Sequence, residues 1–227
     1  MGFFSSVFGK KKEQVIPNPI RKTLFGDMPL DQWPREGSAS DAFPWSGFVS
    51  ARSHLAAGRL DAAISCWRQI LEQPALEPRH YLQAWHFLRK HGQKPSPDTA
   101  KLVLGVVIEV TMPEGLDLLA VYSDHSARYY NYSGAGVVWE HPDTSLDSAI
   151  DQLLAASSQV VAQIGPWEQE QPAPPPQGHV RLSFLTPSGL HFGQGPFDAL
   201  SSDPLGGQVL NIATSLMKAL IAKTNAA

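Results

Sequence analysis

The sequence predicts an α+β protein: an N-terminal extended arm and a small helical bundle, then an antiparallel sheet with two amphipathic helices packed on it. Three observations carry that expectation. Proline and glycine punctuate residues 13–45 too closely for long regular elements. Apolar residues keep helical spacing through residues 46–91. Beyond residue 98, short runs rich in valine, leucine and tyrosine alternate with two longer helical patterns. The implied boundaries are an irregular arm over 1–45, a helical bundle over 46–95 and a sheet region over 98–227.

In the arm, Pro17, Pro19, Pro29, Pro34 and Pro44 leave room only for extended chain and short turns. Ile16, Ile20, Leu24, Phe25, Met28, Leu30 and Trp33 are nevertheless too apolar for a pure linker, so the arm is expected to lie across the folded body. Phe48, Ala51, Leu55 and Ala56 then line one helix. Gly58 interrupts it, and Leu60, Ala63, Ile64, Trp67, Ile70 and Leu71 form a second helix ending near Pro74. Residues 79–91 form a third, with Tyr81, Leu82, Trp85 and Leu88 on one side. After the turn-rich GQKPSPD come four candidate strands, 101–110, 116–123, 127–133 and 135–140, read as an antiparallel meander. A helix over 145–164 follows, capped by Asp143 or Thr144, and then an extended, mobile proline-rich loop over 166–178. Val180, Leu182 and Phe184 alternate with polar residues in a second hairpin, and Asp203-Pro204 starts the last helix.

The segment AAGRLDAAISCWRQILEQP resembles one tetratricopeptide unit, with Ala57, Gly58, Ala63, Trp67, Leu71 and Pro74 at the positions that define that family. The resemblance covers residues 46–74 only and implies a helical hairpin. With no second copy at the family's period, the concave groove of a solenoid is not expected. By order of elements alone, the C-terminal half is similar to roadblock, longin and profilin-like modules, which mostly mediate protein contacts; no sequence motif of those families is present.

Composition narrows the function classes. The chain has 227 residues, a net charge of −3 and a single cysteine, Cys66. That charge argues against a nucleic-acid partner, and one cysteine excludes an internal disulfide or a multi-cysteine metal site. Cys66 sits on a helix, where a buried, inert thiol is expected, and the cytoplasm is the natural compartment. The alanine-rich, lysine-poor body has a bacterial cast. Residues 1–22 stand apart, with Lys10, Lys11, Lys12, Arg21 and Lys22 against Glu13 alone. Phe3, Phe4 and Phe8 followed by Lys10, Lys11 and Lys12 suit either a weak membrane-surface anchor or a tail, because the charges follow the apolar stretch instead of preceding it as in a secretory signal. Gly2 and Ser6 also match the N-myristoylation acceptor pattern.

No catalytic motif, cofactor loop or metal spacing is present. Asp124-His125-Ser126 is read as turn residues, since a triad must converge from separate elements. None of the eight histidines shows an HExxH or HxH spacing, so no metal ligand is assigned. The stretch YSDHSARYYNYSG is the most individual part of the chain. Tyr122, Arg128, Tyr129, Asn131 and Trp139 are the candidate interface residues, because tyrosine, tryptophan and arginine are favoured anchors. The leading expectation is therefore a non-catalytic, cytoplasmic protein-binding module, an adaptor, regulatory subunit or immunity-type inhibitor, with a protein partner and no cofactor. One alternative is an enzyme with a dispersed site of Asp124, His125, Arg128, Glu140, His179 and His191, should the two hairpins lie side by side. The other is a peripheral membrane protein held by residues 1–12.

Overall fold

A computed structural model describes residues 20–34 and 41–224. The candidate anchor residues Phe3, Phe4, Phe8, Lys10, Lys11 and Lys12 lie outside the described residues. The sequence after Pro44 folds into α1 (Trp45–Ala56), α2 (Leu60–Glu72), α3 (Pro78–Lys90) and a single turn α4 (Pro97–Ala100). Four strands follow: β1 (Gly105–Met112), β2 (Gly115–Tyr122), β3 (Ala127–Tyr130) and β4 (Gly136–Trp139). Then come α5 (Asp147–Gln163), β5 (His179–Thr186), β6 (Gly189–Pro196), a short α6 (Phe197–Ser201) and α7 (Gly206–Thr224). The six strands form one antiparallel sheet in the order β4-β3-β2-β1-β5-β6. No described helix is long and apolar enough to cross a membrane.

Strand alternation divides this sheet into two apolar faces. Val106, Ile108, Leu119, Val121, Val180, Leu182 and Phe184 point to one, where Ile150, Leu153 and Val161 of α5 and Val209, Leu216 and Leu220 of α7 cover them. Val107, Leu118, Ala120, Tyr122 and Leu185 point to the other, against Leu24 and Phe25 of the arm and Leu82 of α3. The arm thus lies across the body, with two 3-10 turns at Arg21–Thr23 and Leu30–Gln32. Helix α3 is buried on two sides. Leu82 meets the sheet, while Ala84, Phe87 and Leu88 join Phe48, Ala51, Ala63, Trp67 and Ile70 in the helical core. The single-sided stripe expected for this helix is incomplete for that reason; Tyr81 and Trp85 are only half-buried.

Several boundaries differ from those expected. Residues 97–100 take a helical turn, and β1 starts at Gly105, whose close contact with the Tyr122 ring leaves no room for a side chain. Helix α5 starts at Asp147 because the Asp143 carboxylate accepts from the Ser145 backbone N–H, closing a turn ahead of the helix. At α7, Asp203 does cap: its Oδ1 accepts from the N–H groups of Leu205 and Gly206. Cys66 is half-buried, and burial pushes its thiol pKa up, away from the nucleophilic form.

The proline-rich loop is held to the sheet by hydrogen bonds. Its Pro175 carbonyl accepts from Thr111 Oγ1 at 2.7 Å, and Gly178 N–H donates to the Thr111 carbonyl. Beneath it sits Glu109, whose side chain is fully buried in β1. Arg21 Nε from the arm donates to Glu109 Oε1 at 2.5 Å, and Arg181 Nη1 from β5 donates to Oε2 at 3.3 Å. The two guanidinium groups go on to the loop, Arg21 to the Pro172 carbonyl and Arg181 to those of Pro172 and Ala173. Gln194 Oε1 on β6 accepts from Arg181 as well. One carboxylate therefore joins the arm, two strands and the loop.

Removing one partner from such a network leaves buried charge without compensation, which costs about 3–5 kcal/mol. Glu109→Ala is expected to lower unfolding free energy in urea by that amount and to make the arm the first site of cleavage in limited proteolysis. An unchanged denaturation midpoint would show that the network contributes nothing.

Candidate functional site

Where the arm meets α1 and α3, the chain leaves a cavity of about 160 Å³ lined by Thr23, Gly26, Met28, Trp33, Trp45, Glu77, Arg79, His80 and Gln83. Each element contributes for a local reason. Gly26 has φ +64°, and a Cβ there would come within 2.7 Å of Leu82 Cβ, so the arm turns against α3 only with glycine at this point. Gln83, buried on α3, then holds the arm with two bonds: Met28 N–H donates to Gln83 Oε1 at 3.0 Å, and Gln83 Nε2 donates to the Met28 carbonyl at 2.9 Å. Pro78 at the first turn of α3 sets the helix start that places Arg79 and His80 at the pocket.

The pocket has an aromatic half and a charged half. Trp33 and Trp45 lie 5.0 Å apart between ring centroids, and His80 meets Trp45 edge-on at 5.1 Å. Phe48 backs this group, 5.9 Å from Trp33. On the charged side, Arg79 Nη2 donates to Glu77 Oε2 at 2.5 Å and Arg79 Nη1 to the Thr23 carbonyl at 3.2 Å. Arg128 on β3 approaches the same Glu77 oxygen at 4.0 Å. Two buried ring atoms of the pocket, Trp33 Nε1 and His80 Nδ1, have no hydrogen-bond partner among the described residues. Burial holds the His80 pKa below its usual value, outweighing the pull of Glu77, so its ring is neutral at pH 7 and offers one donor and one acceptor.

The structure does not gather the five candidate interface residues into one surface. Tyr122 is buried beneath the arm, and its hydroxyl donates to the Leu24 carbonyl at 2.7 Å. Trp139 is buried on the opposite face of the sheet. Tyr129 shares the face of Trp139 and donates to Asp117 Oδ2; burial and that acceptor push its pKa up to about 12. Asn131 shapes the β3–β4 turn, accepting from the backbone and hydroxyl of Ser133. Arg128 adjoins the pocket through Glu77, and Tyr122 lies beneath it, its ring centroid 5.6 Å from the Arg79 guanidinium carbon. The two-residue alternation of a strand sends neighbours such as Arg128 and Tyr129 to opposite faces, and burial from both sides turns the larger aromatics into core.

Nor do the two hairpins lie side by side. The β3–β4 pair and the β5–β6 pair occupy opposite edges of the sheet, with β2 and β1 between them. Asp124 accepts from the N–H and hydroxyl of Ser126 within its own turn, and His191 is buried beside Ser188. The dispersed set of Asp124, His125, Arg128, Glu140, His179 and His191 therefore does not converge. His125 instead meets residues that spacing did not single out, His141 and Asp147: one ligand atom from each of the three lies within 4.8 Å of the others. No protein-family model matches this chain, and no curated protein or solved structure matches it significantly.

Asp27 sits between two pocket-lining residues of the arm. Its burial raises its pKa to about 6, against the opposing pull of Arg21, Arg89 and Lys90. The folded chain holds this proton more tightly than the unfolded chain, so the contribution of Asp27 to stability improves as pH falls from 7 through 6 towards 4. Asp27→Asn is expected to be more stable than wild type by about 2–3 kcal/mol at pH 7, with the difference falling below about 1 kcal/mol at pH 4. Paired urea titrations at the two pH values check this. A pH-independent difference would mean that Asp27 ionises as it does in the unfolded chain.

Proposed function

We propose that the chain is a non-catalytic protein-binding module that takes an extended segment of a protein partner into the pocket between the arm, α1 and α3. The observation that carries this reading is the pairing of aromatic walls with two buried ring nitrogens, Trp33 Nε1 and His80 Nδ1, that have no hydrogen-bond partner among the described residues. Buried polar atoms are mostly hydrogen-bonded, and an indole N–H can only donate, so Trp33 can take an acceptor that the described residues do not supply. A peptide supplies both what is missing: carbonyl and N–H groups for the two rings, and a side chain for the space between them. The cavity volume suits one side chain and its adjoining peptide unit. Glu77, Arg79 and Arg128 give the rim charges of both signs, which favours a partner that is polar beside its anchor.

Two further features support this reading. Trp45 opens α1 immediately before residues 46–74, which resemble a tetratricopeptide unit, and the single cysteine suits a cytoplasmic setting. Tryptophan is the residue type that most often carries binding energy in such pockets, with losses of 2 kcal/mol or more on truncation, roughly 30-fold in affinity.

Selection of a displayed random-peptide library against the purified protein tests the proposal. Enriched peptides are expected to quench the tryptophan fluorescence of the wild type on binding. Trp45→Ala is expected to weaken them at least about 30-fold while retaining the wild-type circular dichroism spectrum. Peptides that bind wild type and Trp45→Ala equally would place the binding surface elsewhere.

A further inference from the structure

At the other side of the sheet, the geometry points to a divalent metal site built by His125, His141 and Asp147, with Asp151 as the residue that orients His125; this goes beyond the peptide-binding reading and does not depend on it. Three separate elements meet here. His125 lies in the β2–β3 turn, His141 follows β4, and Asp147 and Asp151 stand one helical turn apart at the start of α5. The β2–β3 turn is closed by Tyr122 N–H to the Ser126 carbonyl, by His125 N–H to the Tyr122 carbonyl, and by Asp124 accepting from Ser126. His125 itself has φ +64°, a conformation that histidine tolerates better than most residues.

The donor atoms are already close. His141 Nε2 is 3.1 Å from Asp147 Oδ2 and 3.2 Å from Oδ1, and His125 Nδ1 is 4.0 Å from Oδ2. The imidazole centroids are 5.6 Å apart with planes inclined by 30°, so both rings flank one carboxylate. In a tetrahedral zinc site with ligand bonds of about 2.0–2.2 Å, ligand atoms lie about 3.3–3.6 Å apart. The two separations to Asp147, 3.1 and 4.0 Å, bracket that range, and the widest, within 4.8 Å, closes to it by side-chain rotations of about 1 Å.

The second nitrogen of His125 completes the pattern. Its Nε2 lies 2.9 Å from Asp151 Oδ1. A carboxylate at Nε2 holds the proton there and leaves Nδ1 with its lone pair turned to the ion, the outer arrangement that metal-bound imidazoles usually have. Two isolated histidine–aspartate pairs would not require both rings to share Asp147. The burial gradient is also that of a surface site: the side chains of His125 and Asp147 are about three-quarters covered, and those of His141 and Asp151 about half or more open. Two imidazoles and one carboxylate select a borderline ion such as Zn²⁺ over Mg²⁺ or Ca²⁺, which prefer all-oxygen ligands. Three protein ligands leave a position for water or for an outside donor. Bound there, the ion would pin the β2–β3 turn and the end of β4 to α5.

Zinc chloride titrated into the metal-free full-length chain, in competition with a chromophoric chelator, tests the site. One equivalent is expected to bind, and long-range ¹H–¹⁵N spectra of the imidazoles are expected to shift at His125 Nδ1 and His141 Nε2 while the other histidines stay in place. His141→Ala, at an exposed position, and His125→Asn, which keeps a residue that tolerates positive φ, should each remove the saturable phase. Asp151→Asn should weaken it about 10-fold. MgCl₂ should produce none of these changes. Zinc binding of equal strength in wild type and the His125→Asn/His141→Ala double variant, shifts confined to other histidines, or no binding by the folded wild type would overturn the assignment.

Discussion

The buried Glu109 carboxylate is the constraint on which most of this structure depends. A charge with no solvent contact is tolerated only where opposite charge and hydrogen bonds surround it, and here guanidinium groups from the arm and from β5 meet the carboxylate and carry the contact on to the loop. Arg21 carries the arm to it, Arg181 carries β5, and both guanidinium groups then hold the carbonyls of the proline-rich loop. That loop could not otherwise be ordered by its own composition, since proline supplies no N–H and the segment has few apolar residues to bury. The ionic cluster therefore extends the second face of the sheet beyond the reach of its hydrophobic residues.

The aromatic pocket is a consequence of that anchoring. An arm fixed at Arg21 must run on past Leu24 and Phe25, turn at Gly26 and be caught again by Gln83. Trp33 and Trp45 are thereby brought from either side of residues 35–40 to within 5.0 Å of each other. The pocket and the histidine–aspartate cluster draw on different layers of the molecule. The first is built by the arm and the helical bundle, and the second by strand ends and α5. A ligand at either one would act on a different joint of the fold.

How much of this could be read from the chain follows from the range of each interaction. The helical spacing of Leu60, Ala63, Trp67 and Ile70, the alternation of Val180, Leu182 and Phe184, and the turn residues Gly58 and Gly134 are local signals, and the elements they announce are present. Helix α3 is less legible because it is buried on two sides, which blurs a one-face stripe. Tyr122 and Trp139 have the composition of an interface and serve as core instead, because Tyr122 faces the arm and α3 and Trp139 faces the core under α5 and α7. The pocket was not legible at all: Trp33, Trp45 and His80 are related by no spacing, and what unites them is the course of an arm with no periodicity.

By itself the sequence determined the α+β class, the order of helices and strands, and the presence of an apolar arm that had to find cover, since these rest on hydrophobic period and on the local stereochemistry of proline and glycine. The tertiary structure alone decided that the two hairpins sit at opposite sheet edges, that Glu109 and Arg181 are buried partners, and that His125 faces His141 and Asp147. Those outcomes depend on strand order and on the connection through α5 from β4 at one edge of the sheet to β5 beside β1, and contacts set by tertiary packing leave no mark on local spacing.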